Sequence, residues 1–233
     1  MHVVIVGGSS GMGRALAAEL VAQGSEVTVA GRSETKLDAV RNELGVRTVA
    51  MDIGSEQDIE RLFETTGTVS HIVTTAADVG GAYQPISEYD VEAARPAVES
   101  KLFGPLLLAK HGAPRLESGG SIVFTSGIAA YRPGPRASLL AALNGALASL
   151  AAALAVELAP VRVNVVSPGW VDTPIWQDVA GDDAPAALAA MAARLPAGRI
   201  GRTKDIADAI IALLRNGFIT GTVLHADGGH RLV

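Results

Sequence analysis

His2-Val3-Val4-Ile5-Val6-Gly7-Gly8-Ser9-Ser10-Gly11-Met12-Gly13 opens the chain, and its reading decides the fold. Four β-branched residues in succession, apolar without alternation, make a short strand buried on both faces. A glycine-rich turn ends it. From 13 to 23 the apolar residues Leu16, Leu20 and Val21 then recur at helical spacing. A strand, a Gly-x-x-x-Gly-x-Gly turn and a helix in direct succession form a phosphate-binding turn. Gly7 permits the tight turn, and Gly11 and Gly13 allow close backbone approach. The helix N-terminus offers unpaired N–H groups and a positive dipole end to a pyrophosphate. The contacts expected are Gly7, Ser9, Ser10, Gly11, Met12 and Gly13. A plain loop punctuated by glycine is the competing reading.

The alternation continues outward from this unit. Further apolar runs at 26–30, 46–50, 71–75, 122–125, 161–166 and 223–225 read as strands, and 33–44 and 55–64 as helices between them. Continuous apolar strands alternating with helices indicate the α/β class. The expected form is a Rossmann-type, doubly wound parallel sheet of about seven strands with helices on both faces. No repeat or boundary divides the chain, so 1–233 is expected to be a single dinucleotide-binding domain. The loop-like stretch 171–198, rich in Asp, Pro and Ala, would lie over the carboxyl ends of the strands as a substrate lid. Asp178, Asp182 and Asp183 within it read as solvated.

Composition narrows the function. A length of 233 residues suits one such domain. Hydrophobic residues make up 48% but aromatics only 4%, so Ala, Val, Leu and Ile must build the core. A net charge of −5 without a long basic run argues against nucleic acid as a partner. The absence of cysteine excludes disulfides, thiol catalysis and thiolate metal sites, and no metal site is expected. No apolar run reaches the ~20 residues of a membrane span without polar interruption, so no membrane partner is expected. The richest stretch, 137–158, contains Asn144, Ser149 and Glu157 and reads as a buried helix. The first strand starts at His2 with no leader before it, and a cytoplasmic location is the default.

The end of the second strand bears on cofactor choice. A carboxylate there would bond a ribose 2′-hydroxyl and repel a 2′-phosphate. The chain has Ala30-Gly31-Arg32-Ser33 instead. Arg32 can pair with phosphate, and the Ser33 hydroxyl can add a hydrogen bond. This favours NADP(H) over NAD(H). The alternative is a solvated arginine beside a helix N-cap.

With these residues, Ser167-Pro168-Gly169 late and Asp227-Gly228-Gly229 near the end, the chain resembles the short-chain dehydrogenase/reductase family over nearly its whole length. The resemblance implies that Asp52 bonds the adenine amino group with the backbone of Ile53 beside it. Asp52 could also cap a helix, though Ser55 suits that task better. Thr74-Thr75-Ala76-Ala77 stands where the family usually has Asn-Asn-Ala-Gly, and Ala76 keeps room for the cofactor. Pro168, Gly169 and Val171 would cover the nicotinamide, and Thr173 would contact its carboxamide. Trp170 and Trp176 would line the substrate side or simply pack the lid. The resemblance also implies a small-molecule substrate and a homodimer or homotetramer. The helices carrying Lys101 and Asn144 would meet their copies there, with Ala141, Ala148, Ala152 and Ala155 permitting close approach.

Members of that family reduce a carbonyl by hydride transfer while a Tyr donates the proton. A Lys lowers the Tyr pKa and holds the ribose, a Ser polarises the carbonyl, and an Asn anchors a relay water. The corresponding positions here are Leu140, Asn144, Gly127 (with Ser126 one residue before) and Lys101. No Tyr follows Tyr131, so no slip within the helix recovers the motif. Loss of a general acid costs ~10²–10⁴-fold in rate. Two of the changes are reciprocal. Lys101 is expected to supply its ammonium from the opposite wall, with Asn144 bonding the ribose or the Lys101 amine. A snorkelling surface lysine is the competing reading. Substitutes for the lost acid are Tyr131 and Tyr83. Ser126 would polarise a carbonyl if its side chain faces inward, and His111 reads as a surface or packing residue. The expected catalytic set is Lys101, Ser126, Asn144 and Tyr131. The function expected is an SDR-type oxidoreductase with a non-standard site. The alternatives are a silent NADP(H)-binding sensor or partner subunit, or non-redox chemistry such as a cyclisation.

Overall fold

The computed structural model describes the backbone of residues 1–233 and every side chain except those of 177–179. Strands β1 (His2–Val6), β2 (Glu26–Gly31), β3 (Arg47–Ala50), β4 (Val69–Thr74), β5 (Leu116–Thr125), β6 (Arg162–Pro168) and β7 (Val223–Ala226) lie parallel in one sheet. Their order is β3-β2-β1-β4-β5-β6-β7, the doubly wound arrangement expected. The helices between them are α1 (Gly11–Ala22), α2 (Glu34–Leu44), α3 (Glu56–Thr66), α4 (Val91–Val98), α5 (Gly104–Gly112), α6 (Ser138–Glu157), α7 (Ile175–Ala180), α8 (Ala184–Arg194) and α9 (Thr203–Arg215). The winding reverses between β1 and β4, which opens a crevice at their carboxyl ends.

The absence of polar alternation in β1 has a direct cause. Val3 and Ile5 face one side of the sheet, where they pack with Leu16, Leu20, Leu37 and Ile210. Val4 and Val6 face the other, with Ile59, Phe63, Leu108 and Leu147. Successive side chains point to opposite faces, so a strand between two helical layers must be apolar throughout. Helix starts follow local chemistry. The Ser33, Ser55 and Asp90 side chains accept from the N–H groups of Lys36, Asp58 and Glu92 respectively. Buried polar groups tie the layers together. The Arg162 guanidinium donates to the carbonyls of Leu213 and Leu214 at 2.8 Å each, at the carboxyl end of α9. His71 Nδ1 and Ser121 Oγ, paired across β4 and β5, lie 2.9 Å apart.

Three expectations need correction. β5 begins at Leu116, well before the apolar run, because Glu117, Ser118 and the two following glycines are polar or featureless although extended. The 171–198 stretch is mostly helical, carrying α7 and α8. The α6 segment is only partly buried. Leu140, Leu143, Leu147, Ala151 and Leu154 pack inward, whereas Ala142, Ser149, Ala152, Ala153 and Val156 are exposed. By length and composition this helix would suffice to cross a bilayer, with a mean hydropathy of 2.0. In the structure it lies along β5 and β6.

Burial, reinforced by the charge of Arg162, lowers the pKa of His71 from its usual 6.5 to about 4. Between those values the unfolded chain binds more protons, so folding stability is lost as pH falls through that window. His71→Asn removes this titration. Urea midpoints measured from pH 7 to pH 4 should fall less steeply for the variant than for the wild type.

Candidate active site

A cavity of about 1000 Å³ occupies the crevice at the carboxyl ends of the strands. Its floor is backbone. A Cβ on Gly7, at φ +87°, would lie 2.5 Å from the Ala76 amide nitrogen, and one on Gly13 would lie 2.5 Å from Thr75 Oγ1. Only glycine allows these loops to touch. Thr75 Oγ1 donates to the Gly7 carbonyl at 3.1 Å, which braces the β1 and β4 loops where the family usually has Asn. Ser10 makes no capping bond to α1, and no acidic residue stands in its first turn. The helix's first N–H groups and positive end are thereby left for a ligand anion, which fits a dinucleotide pyrophosphate.

The end of the cavity beyond β2 and β3 carries Arg32, Ser33, Lys36 and Asp52. Ser33 caps α2, with its Oγ accepting from the Lys36 N–H at 3.4 Å. Asp52 Oδ1 accepts from the Gly54 N–H at 2.9 Å in a local turn, while Ser55 caps α3. Asp52 therefore is not the helix cap. Arg32 is neither free nor merely solvated, because its Nη1 pairs with Asp78 Oδ2 at 2.9 Å. Asp78 and Lys36 were not among the residues expected here. Lys36 had a signal, a second cation four residues after Arg32 across a helix start. The Asp78 pairing joins two loops distant in sequence and had none.

At the other end stand Lys101, Ser126, Asn144 and Leu140. Lys101 is not on a regular helix. A wide turn of π type, Glu99–Phe103, joins α4 to α5 and directs it inward. The surface-lysine reading is thereby overturned: the residue is 6% exposed, and its Nζ donates to the Thr125 carbonyl at 3.3 Å. Burial lowers its pKa to about 8. Asn144 is 3% exposed, and its Oδ1 has no hydrogen-bond partner among the described residues. A Cβ placed on Gly127 would lie 3.1 Å from Asn144 Nδ2. The Asn144 amide thus fills the space that a side chain at 127 would need. Ser126 Oγ donates its proton to the Asn144 backbone carbonyl at 2.9 Å. Polarising a substrate carbonyl would require breaking that bond.

The two tyrosines part company. Tyr131 does not line the cavity; its ring meets His225 edge-on at 4.5 Å between centroids, because the short turn Ile128–Ala130 carries the chain towards β7. Tyr83 does line it, packed with Leu140, Ala82 and Ala97, and burial raises its phenol pKa. His111 Nε2 bonds Glu56 Oε1 at 2.8 Å away from the cavity, as a packing residue. Ile53, Ala76, Pro168, Gly169, Val171 and Thr173 all line the cavity. The Thr173 methyl faces the glycine loop, 3.7 Å from where a Cβ on Gly11 would stand. Trp170 and Trp176 stack at 4.3 Å, and both reach the cavity. Asp182 and Asp183 are exposed, and the Asp178 side chain lies outside the described residues.

A family model described as enoyl-(acyl carrier protein) reductase matches residues 6–231. The chain belongs to the short-chain dehydrogenase/reductase (SDR) family of oxidoreductases. It is similar to the SDR malC of Malbranchea aurantiaca, 33% identical over 98% of this chain and 93% of that protein. The SDR ATR9 of Stachybotrys chlorohalonatus is 34% identical over 97% and 95%. Among solved structures, a small-chain dehydrogenase in complex with NADPH is similar with a TM-score of 0.87, at 34% identity over 100% of this chain and 99% of that one. The structure of the MalC reductase/Diels-Alderase from Malbranchea aurantiaca is similar with a TM-score of 0.92, at 32% identity over 99% and 95%.

The buried lysine of this SDR chain carries a stability signature. Folded Lys101 releases its proton near pH 8, against a usual 10.5. Between those values the unfolded chain binds more protons, so the wild type gains stability as pH rises; below pH 8 the burial cost is fully present. Lys101→Met should be more stable than wild type at pH 7, with the gap closing between pH 8 and pH 10 in urea titrations.

Proposed function

We propose that the protein is an NADP(H)-dependent oxidoreductase that interconverts a carbonyl and an alcohol on a small, largely apolar substrate, with Lys101 as the cation of its active site. The observation that carries this reading is the buried Lys101 ammonium in the same cavity as Asn144. Preference for NADP(H) rests on Arg32 and Lys36 at the ribose end and on the similarity to an NADPH-bound dehydrogenase. The glycine loop and the open end of α1 would hold the pyrophosphate, and Thr173 would meet the nicotinamide.

When bound, the nicotinamide supplies or accepts the hydride. The chain's own groups manage the proton. Lys101, with a pKa of about 8, holds a transferable proton near neutral pH and attracts a developing alkoxide. Asn144 offers a buried amide oxygen, Oδ1, with no hydrogen-bond partner among the described residues, and this oxygen accepts from a substrate or ribose hydroxyl. Tyr83 stays protonated because burial raises its pKa, and acts as a donor. Leu140, Trp170 and Trp176 exclude water from the reacting atoms. In this reading α7 and α8 serve as the lid. The exposed Phe103, Leu106 and Val156 on α5 and α6 and the turn before them form the contact of a homodimer or homotetramer.

A second reading is a carbon–carbon bond-forming cyclisation in the same cavity. Two features favour it: similarity to a protein described as a reductase/Diels-Alderase, and an apolar leucine beside the proposed reaction centre.

NADPH oxidation followed at 340 nm against a panel of carbonyl compounds tests the oxidoreductase reading; product formation from a diene–dienophile substrate without nicotinamide tests the cyclisation. Lys101→Met should lower turnover ~10²-fold or more while NADPH affinity changes little. Undiminished turnover in the variant would remove Lys101 from the chemistry. A wild type that binds no nicotinamide nucleotide would overturn the oxidoreductase reading altogether.

A further inference from the structure

The oxidoreductase reading gives Asp78 no task, yet the fold fixes it at the nucleotide end of the cavity. It follows β4 in Thr75-Ala76-Ala77-Asp78, while Arg32 follows β2, on the other side of β1. The Asp78 N–H donates to Oγ of the buried Ser100 at 2.9 Å, which anchors its backbone from the turn that also carries Lys101. Its carboxylate Oδ2 lies 2.9 Å from Arg32 Nη1. Both residues line the cavity with Lys36 and Asp52. The two side chains are 61% and 35% exposed, so the pair contributes little to folding. Its consequence lies in what it leaves the guanidinium free to bind.

We infer that Asp78 is a specificity-determining residue that narrows the preference for a 2′-phosphorylated nucleotide by holding Arg32. The inference rests on reading this cavity as a nicotinamide nucleotide site. A ribose 2′-phosphate approaching Arg32 brings its negative charge to a guanidinium already paired with a carboxylate. It must share the cation or displace Asp78, and either way meets like-charge repulsion. A ribose 2′-hydroxyl brings no charge and can donate to the same carboxylate. Asp78 therefore penalises one nucleotide and accommodates the other, which is discrimination by an unfavourable contact. Lys36, at the start of α2, gives the phosphate a cation that Asp78 does not hold. The bound protein keeps usable affinity for both nucleotide types.

Isothermal titration calorimetry of wild type, Asp78→Asn and Asp78→Ser with NADPH, NADH, 2′,5′-ADP and 5′-AMP tests this without turnover. Both variants should bind NADPH and 2′,5′-ADP about fivefold more tightly, the size of one exposed ion pair. NADH and 5′-AMP should bind equally well or more weakly. The gain should shrink at about 0.5 M salt, where exposed charges are screened. A wild type that binds NADPH, with variants whose NADPH-to-NADH ratio does not move, overturns the inference alone. Equal gains for phosphorylated and unphosphorylated nucleotides also overturn it, because they report a wider cavity and not a released cation. A wild type that binds none of the four overturns the nucleotide-site reading and this inference together. The second variant guards against a fold-specific failure of the first.

Discussion

The contact of Gly7 with the Ala76 backbone, and of Gly13 with Gly7 and Thr75, is the constraint on which the rest depends. The loops after β1 and β4 and the first turn of α1 meet there, with only the Thr75 hydroxyl between them. The meeting fixes the ends of β1, α1 and β4 against one another and makes the cavity floor largely backbone. Because the strands are parallel, every following loop arrives at the same edge. Arg32 comes from the end of β2, Asp52 from β3, Thr75 from β4, Ser126 from β5 and Pro168 from β6. Residues scattered through the whole chain become neighbours because the sheet delivers them all to one line.

The two ends of that line differ in electrostatic regime. Beyond β2 and β3, Arg32, Lys36, Asp52 and Asp78 keep contact with solvent, so their interactions are exchangeable and easily screened. At the opposite end Lys101 has lost its hydration shell and gained one carbonyl in return. A charge left so poorly compensated is costly to folding, and the same cost moves its proton affinity towards neutrality.

Much of the architecture was legible because its signals are local. β1 is readable since both its faces are covered, and α2 and α3 announce themselves through Ser33 and Ser55. The glycine turn carries its own mechanism in its spacing. What escaped reading depends on contacts between distant segments. Nothing near Tyr131 says that the turn before it leads to β7, whereas Tyr83, offered as the other substitute, does reach the cavity beside Leu140. The inward place of Lys101 was expected from the family resemblance, but the wide turn between two helices that produces it is not revealed by periodicity. The Arg32–Asp78 pair joins loops separated by two strands' worth of chain. Ser126 faces inward, but its proton is already given to α6.

The Asn144 amide occupies the space above Gly127, and Lys101 occupies the wall opposite. These three positions are consequently coupled in the order in which they can change. A side chain introduced at 127 first would press on the amide of 144, which would have to give way by a few tenths of an ångström. A lysine introduced at 144 first would place two ammonium groups in one buried chamber. A smaller residue at 101 first would leave the chamber without any cation. Substitutions at these three positions should therefore be non-additive, each one's cost set by which residues stand at the other two.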